Sequence, residues 1–369
     1  MERAIKTRIY PTEEQKNLIN QTFGCYRFVY NKALEKQIER HAQEKNFVGK
    51  YEMCRWITEI KQVYDWLYEV DSRALQLSTA HLESAYKKFF KGAGFPKFKN
   101  KRGKQSYTTD SAIRVEPHYA RVPKVGLIRT YERLDENIKP NSITISMQAG
   151  LYFASIQYDD GKKPAEPNNG AKIGVDLGVK DLATFSDGTV ILNPKYLKKH
   201  EEKIKRLQRK LAQQRKGSNR RTKTKQKLAR TFLKVSDSRK DYLHKATTMI
   251  TKSYGYVAIE NLNVSGMIKN HKLAKAISDC GFYEFRRQLE YKAVWYGSKI
   301  AVIGTFEPSS KTCSNCGWLK KDLILADRIW VCANCNTKHE RDVNAAKNIL
   351  NFSIAPVGSG EVDVKKPSS

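Results

Sequence analysis

Two rhythms run along the chain. Ile5, Thr7 and Ile9 alternate with polar neighbours over residues 4–10, which predicts a strand. Thr12 with Gln15 three residues on has the form of a capping box, and Leu18, Thr22, Tyr26, Val29 and Ala33 follow at helical spacing. A second helical stretch carries Trp56, Ile60 and Val63. A third runs from an Asp71-Ser72 cap through Leu75, Leu82, Tyr86 and Phe89. From Gly92 the texture turns to Gly, Pro, Lys and aromatic residues. Ile143, Ile145 and Met147, then Tyr152, Ala154, Ile156 and Tyr158, alternate around Gln148-Ala149-Gly150 and predict a β-hairpin. Strands on both sides of a helical block predict a small β-barrel interrupted by helices, closed by a Pro/Asn/Gly-rich linker.

The second half opens on the apolar strand Ile173-Gly174-Val175-Asp176-Leu177. Residues 182–185 and 189–192 pair naturally across Asp187-Gly188. Tyr256-Val257-Ala258-Ile259-Glu260 is a fourth strand and residues 300–303 a fifth, after a helix near 282–297. Residues 342–351 return to helix. Between these strands lie two thin apolar stripes, Ile204/Leu207/Leu211 and Leu228/Phe232/Val235, separated by Gly217-Ser218-Asn219, a helical hairpin.

Charge changes the picture. The 369 residues hold 68 Lys and Arg against 38 Asp and Glu, a formal net charge of +30. Residues 195–245 hold 20 Lys or Arg and 4 Asp or Glu, so +16 of that excess falls on the hairpin. Such an excess repels itself unless a polyanion neutralises it, and nucleic acid is the usual one. A solvated helix face is the bland alternative. No apolar run approaches the ~20 residues that span a bilayer, and the N-terminus lacks a secretory signal. We therefore expect a cytoplasmic, prokaryotic-type protein that does not engage membranes and associates with the nucleoid when bound to DNA.

Four of the seven cysteines are bunched. Cys313 and Cys316, then Cys332 and Cys335 fifteen residues further on, form two CxxC knuckles. This spacing supplies four thiolates for one tetrahedral Zn²⁺ with no position left for water, so the ion is expected to be structural. His339 is a further nearby ligand type, but the four cysteines already complete a site.

Three acids invite a joint reading. Asp176 lies in the first strand of the second half, Glu260 ends the fourth, and Asp342 opens the terminal helix. Singly, each has a bland role as a turn residue, strand end or helix cap. The order of elements is that of a ribonuclease-H-like sheet, in which acids from adjacent strands and a nearby helix converge at one edge. A carboxylate in an apolar strand is costly unless paired or metal-bound. Such a cluster suits two Mg²⁺ ions, hard cations that take oxygen ligands.

Residues 174–180 (Gly-Val-Asp-Leu-Gly-Val-Lys), Ile259-Glu260-Asn261-Leu262, Pro308-Ser309-Ser310-Lys311-Thr312-Cys313 and 341–350 (Arg-Asp-Val-Asn-Ala-Ala-Lys-Asn-Ile-Leu) resemble the TnpB family. These are transposon-encoded RNA-guided nucleases related to the single-RuvC effectors of type V CRISPR systems. The likeness is specific over residues 172–350 and weaker over 1–160. It implies a wedge-like β-barrel at 1–11 and 92–160, a helical recognition domain at 12–91 and a linker at 161–171. It further implies a RuvC (RNase H-like) nuclease domain at 172–306 and 337–351, a zinc ribbon at 307–336 and a disordered tail at 352–369.

The resemblance also implies a function. A guide RNA from the transposon end would pair with double-stranded target DNA, while the protein reads a short motif beside the target. Tyr51 and Gln76 match the motif-reading segments, since glutamine can bond adenine and tyrosine can pack on a base; helix-surface roles are the alternative. The basic hairpin and Lys97-Phe98-Lys99, with Lys97 and Lys99 as cations, would hold RNA and hybrid by phosphate contacts. Asp176 would bridge the two Mg²⁺ ions, with Glu260 and Asp342 flanking, in a monomer carrying one RNA. The competing readings are a transposase that joins DNA ends with the same three acids, and an RNA-guided repressor that binds without cutting.

Overall fold

The structure, a computed structural model, describes residues 1–44, 46–305, 307–324 and 326–354; of the expected tail, 355–369 lie outside the described residues. It divides into two compact units, Met1–Lys163 and Pro164–Ser369.

The first unit begins with β1 (Glu2–Tyr10), followed by α1 (Glu13–Glu44), α2 (Lys50–Val63) and α3 (Ser72–Phe90). The capping box forms: Thr12 N–H donates to Gln15 Oε1 at 3.0 Å and Gln15 N–H to Thr12 Oγ1 at 3.3 Å. Asp71 caps α3 by accepting from the amides of Arg73 and Ala74. Then come β2 (Gln105–Thr109), β3 (Arg114–Glu116), β4 (Tyr119–Val122), β5 (Gly126–Thr130), β6 (Pro140–Gln148) and β7 (Leu151–Asp159). They join β1 in a seven-stranded antiparallel sheet of order β2-β6-β7-β1-β5-β4-β3. The β6–β7 turn is made by Ala149 and Gly150, both at positive φ, the primed-turn geometry that matches strand twist. Ile9, Tyr107, Ile128, Ile143, Ile145 and Ile156 share one core with Ile19, Phe23 and Tyr26 of α1.

The second unit carries β8 (Lys172–Leu177), β9 (Asp181–Phe185), β10 (Val190–Leu192), α4 (Tyr196–Lys199), α5 (Glu201–Gln213) and α6 (Asn219–Ser253). It continues through β11 (Tyr256–Glu260), α7 (Val264–Ile268), α8 (Ala274–Cys280), α9 (Phe282–Tyr296) and β12 (Lys299–Ile303). It ends with β13 (Ile329–Val331), β14 (Lys338–Glu340) and α10 (Arg341–Ile354). The five-stranded sheet has order β10-β9-β8-β11-β12, a meander with β11 and β12 added parallel to β8. Val175, Phe185, Val257 and Ile259 pack with Leu243 and Ile250 of α6 and Phe285 and Leu289 of α9. Residues 165–168 are fastened to this unit: Ala165 N–H donates to Val294 O and Asn168 N–H to Gly297 O.

Two expectations are corrected. The apolar stripe expected on α6 does not turn inward as a whole: Val235 is buried, but Phe232 is 41% exposed, and Thr224 and Thr231 occupy the buried face instead. Phe352, Ser353 and Ile354, assigned to the tail, continue α10, with Tyr256 Oη donating to Ser353 O at 2.9 Å.

Candidate functional site

Parallel β8 and β11 place two acids side by side. Their register pairs Ile259 with Val175, one residue short of Glu260 and Asp176, at the carboxyl ends of both strands. Ligands of open α/β sheets gather at such ends. The third acid arrives on α10, which packs directly on β8. That closeness depends on Gly174, where a Cβ would meet the Ala346 carbonyl oxygen at 1.9 Å. Asp342 and Ala346 stand one helical turn apart, so the contact that needs glycine also presents Asp342 to the strand ends.

Asp176, Glu260 and Asp342 line one cavity of about 350 Å³. Burial, then repulsion from Asp342 and Glu260, pushes the Asp176 carboxyl up to about 7, with Arg341 opposing. Burial raises Glu260 as well. Asp342 accepts from Arg328 Nη1 at 3.2 Å and from Arg341 Nε and Nη2 at 3.0 and 2.9 Å. Its place in the first turn of α10 adds the favourable helix dipole. Three carboxylates gathered at one edge, two of them desolvated there, are a donor set for hard divalent cations. The two arginines and Glu307, which lines the same cavity, were not singled out in the sequence. Arg341 adjoins Asp342, but Arg328 reaches it only through the β13–β14 fold.

The cysteines converge more tightly. Cys313, Cys316, Cys332 and Cys335 have all four Sγ atoms within 4.8 Å of one another, with Cys313–Cys335 and Cys316–Cys332 both at 3.6 Å. Tetrahedral Zn²⁺ with Zn–S near 2.3 Å needs sulfurs about 3.8 Å apart, so the set fits zinc. Asn334 donates to Cys316 Sγ at 3.4 Å and Asn315 to Cys335 Sγ at 3.6 Å. Hydrogen bonds from Thr337 and Asn315 hold the Cys335 thiol down at about 5. His339 stays outside the four: its Nε2 meets Cys313 Sγ at 3.0 Å while its ring packs on Trp330.

The ribbon is tied to the acid-bearing helix by two buried asparagines one turn apart. Asn344 donates to Thr312 O at 2.7 Å and accepts from Ser314 N–H at 2.9 Å. Asn348 donates to Ser309 O and Thr312 O at 2.7 and 2.6 Å. The thiolate knuckle and Asp342 thus share one rigid support.

The remaining predicted residues sit on the surface. Tyr51 on α2 is 80% exposed with Lys50 Nζ 5.0 Å from its ring. Gln76 on α3 is exposed and accepts from Arg73 Nη1 at 3.0 Å. No hydrogen bond among the described residues joins these two. Lys97 is exposed, whereas Lys99 is half-buried over Tyr30 and Tyr26, at 3.9 and 4.8 Å. Between α5 and α6 lies a groove of about 1280 Å³ whose lining includes Lys203, Arg206, Lys210, Lys223, Lys227 and Lys234 and, among the described residues, no aspartate or glutamate.

The fold is shared with the mini-RNA-guided endonuclease CRISPR-Cas phi3, whose solved structure matches at TM-score 0.51 and 9% identity over 96% of this chain and 92% of that one. Three family models match: "Probable transposase" over residues 155–271, "Cas12f1-like, TNB domain" over 282–349 and "Helix-turn-helix domain" over 1–46. The last overlies β1 and the single continuous helix α1 rather than two helices and a turn. A protein of Streptomyces pristinaespiralis named "Putative RNA-guided DNA endonuclease" is 37% identical over 98% of this chain and 92% of its own length. The Escherichia coli K12 protein bearing the same description, InsQ, is 32% identical over 97% of this chain and 94% of its own. The chain belongs to the TnpB family. Among the described residues no helix is long and apolar enough to cross a membrane.

Proposed function

We propose that this protein is an RNA-guided DNA endonuclease whose cutting site is the cavity of Asp176, Glu260 and Asp342. The observation that carries the reading is the shared, desolvated edge that raises Asp176 toward neutrality, a costly arrangement that divalent cations relieve. Asp176, Glu260 and Asp342 would hold two Mg²⁺ ions, which when bound supply Lewis-acid stabilisation and a nucleophilic water for phosphodiester hydrolysis. Asp176, in the central strand, would be shared by the ions, with Glu260 and Asp342 completing the set. Arg328 and Arg341 pair with Asp342 and fix its orientation, and offer positive charge beside a strand's phosphates.

Cys313, Cys316, Cys332 and Cys335 would hold one structural Zn²⁺. In the first unit, the seven-stranded sheet with α1–α3 inserted after β1 is read as the wedge-like barrel with its recognition helices. Tyr51 and Gln76 are the candidates for reading the motif beside the target. The α5–α6 groove and the Lys97–Lys99 segment would hold guide RNA and RNA–DNA hybrid through phosphates. A continuous α1 where a helix-turn-helix would stand weighs against the transposase reading.

The gene is expressed with its flanking transposon DNA, bound RNA is sequenced, and the purified complex is given Mg²⁺ and a plasmid library. Each plasmid carries the RNA-matched target beside random bases. Cutting confined to matched plasmids with one flanking motif is expected, and Asp176→Ala should abolish it while sparing RNA and DNA binding. Absence of co-purified RNA, cutting that ignores the match, or wild-type cutting by Asp176→Ala overturns the proposal.

A further inference from the structure

In the first unit, a second cavity of about 630 Å³ opens between α1, α3, residues 98–105 and the β2–β6–β7 face. We propose that it is a binding site for one extruded nucleotide of a nucleic-acid strand, with the phosphate on Lys99, Lys104 and Arg27 and the base against Phe98. The inference rests on the reading of the protein as a nucleic-acid-guided nuclease and assigns one site within it.

The lining holds three cations and, among the described residues, no aspartate or glutamate. Lys99 is the most telling. Its ammonium lies against the faces of Tyr30 and Tyr26, and no carboxylate among the described residues reaches it. Burial, then the neighbouring charge of Lys104, pushes Lys99 down to about 8. A lysine kept in such a place is destabilising by itself and is relieved by an anion. His81, hydrogen-bonded through Nδ1 to Tyr26 Oη, is also lowered by burial and by Lys99 and Lys104, so it adds a neutral imidazole and no counter-charge.

The loop that carries these groups is held in advance. Asn31 clamps the Lys99 backbone, accepting from its N–H at 2.8 Å and donating to its carbonyl at 2.9 Å. Gln105 Nε2 donates to the carbonyls of Lys101 and Gly103 at 3.0 and 2.9 Å, and its Oε1 accepts from Arg27 Nη1 at 2.9 Å. Preorganised cations lose little on binding a phosphate. Phe98 is 54% exposed at the mouth, a stacking surface open to any base. The volume falls within the roughly 300–1,000 Å³ of small-molecule sites.

The test uses the full-length protein with a short single-stranded RNA bearing 4-thiouridine, and the matching DNA bearing 4-thiothymidine. Each is irradiated, and the crosslinked peptides are mapped. We expect crosslinks on the peptide containing Phe98 as well as on the α5–α6 hairpin. Phe98→Ala and Lys99→Met should cut the Phe98-region signal several-fold and leave the hairpin signal unchanged; Lys99→Arg should restore it. The exposed Lys104→Ala variant should lower the log–log salt slope of binding by about 0.7, the value for one phosphate neutralised on a single strand. A signal with RNA alone assigns the site to RNA, and a signal with DNA alone to DNA. Hairpin crosslinks with none near Phe98, or a Phe98 signal indifferent to Lys99→Met, overturn the site and leave the nuclease reading standing. No crosslink anywhere overturns both.

Discussion

Gly174 of β8 lies against the backbone of Ala346 in α10 so closely that any side chain would collide with the Ala346 carbonyl. The strand bearing Asp176 and the helix bearing Asp342 meet at that point, so a residue with no functional group governs how the acids converge. Gly174→Ala should push α10 off the sheet, at a cost of about 1–3 kcal/mol or more from overpacking. Cleavage should fall much further than guide-RNA binding. Denaturant unfolding beside a cleavage assay checks this, and wild-type values in both would refute the close approach.

Cys316→Ser removes one of four convergent sulfurs. The ribbon has a small core of its own, Leu323 and Trp330 with Cys313 and Cys332, too little to fold without a metal. Zinc content should drop from one ion per chain, and residues 307–340 should become protease-sensitive. Full zinc with unchanged proteolysis would count against the site.

Asn348 is buried and bonds two carbonyls at the base of the ribbon. Asn348→Leu takes this donor from both carbonyls and leaves Thr312 O with Asn344 alone, a loss of about 1–3 kcal/mol. The first cleavage by a dilute protease should move to the 307–314 segment. Unaltered stability would show that α10 does not anchor the ribbon through this side chain.

Lys292 supplies the pH dependence. Its Nζ is buried and donates to His244 O, Thr247 Oγ1 and Thr248 Oγ1, joining α9 to α6 without a carboxylate. Burial pushes it down to about 8, from the usual 10.5. Between those values the unfolded chain binds the proton and the folded chain does not. The contribution of Lys292 to stability therefore rises with pH across 8 to 10.5 and is lost as pH falls through about 8. Comparing wild type with Lys292→Met over this window should show the slope in the wild type alone; parallel curves would refute it.

The α5–α6 groove should make RNA binding steeply salt-dependent. Replacing Lys203, Lys227 and Lys234 by Gln should lower the log–log slope by about 0.7 for each phosphate of single-stranded RNA that these lysines neutralise. Fluorescence anisotropy at several salt concentrations reads it. An unchanged slope would make the groove a solvated face.

Local rules carried much of the second unit. Short apolar runs predicted β8, β9 and β11 almost to the residue, turn chemistry predicted the Asp187-Gly188 connection, and the paired CxxC spacing announced four convergent thiols. These features are legible because each depends on neighbours in the chain. The first unit was less transparent. β2 to β5 are short, and β3 to β5 carry charged positions such as Arg114, Glu116, Arg121 and Arg129, so their period is weak and pairing along the sheet supplies the order. In α6, Thr224 and Thr231 rather than Phe232 face inward, because the basic helix buries what fits against α5.

The sequence by itself determined which residues are candidates for chemistry: three acids, four cysteines and a concentrated positive charge. Tertiary structure decided their relations: that Gly174 lets Asp342 reach Asp176, that Arg328 finds Asp342, and that Lys99 is trapped over two tyrosines. Residue type and spacing are properties of the chain, whereas desolvation and proximity arise only where distant segments pack together.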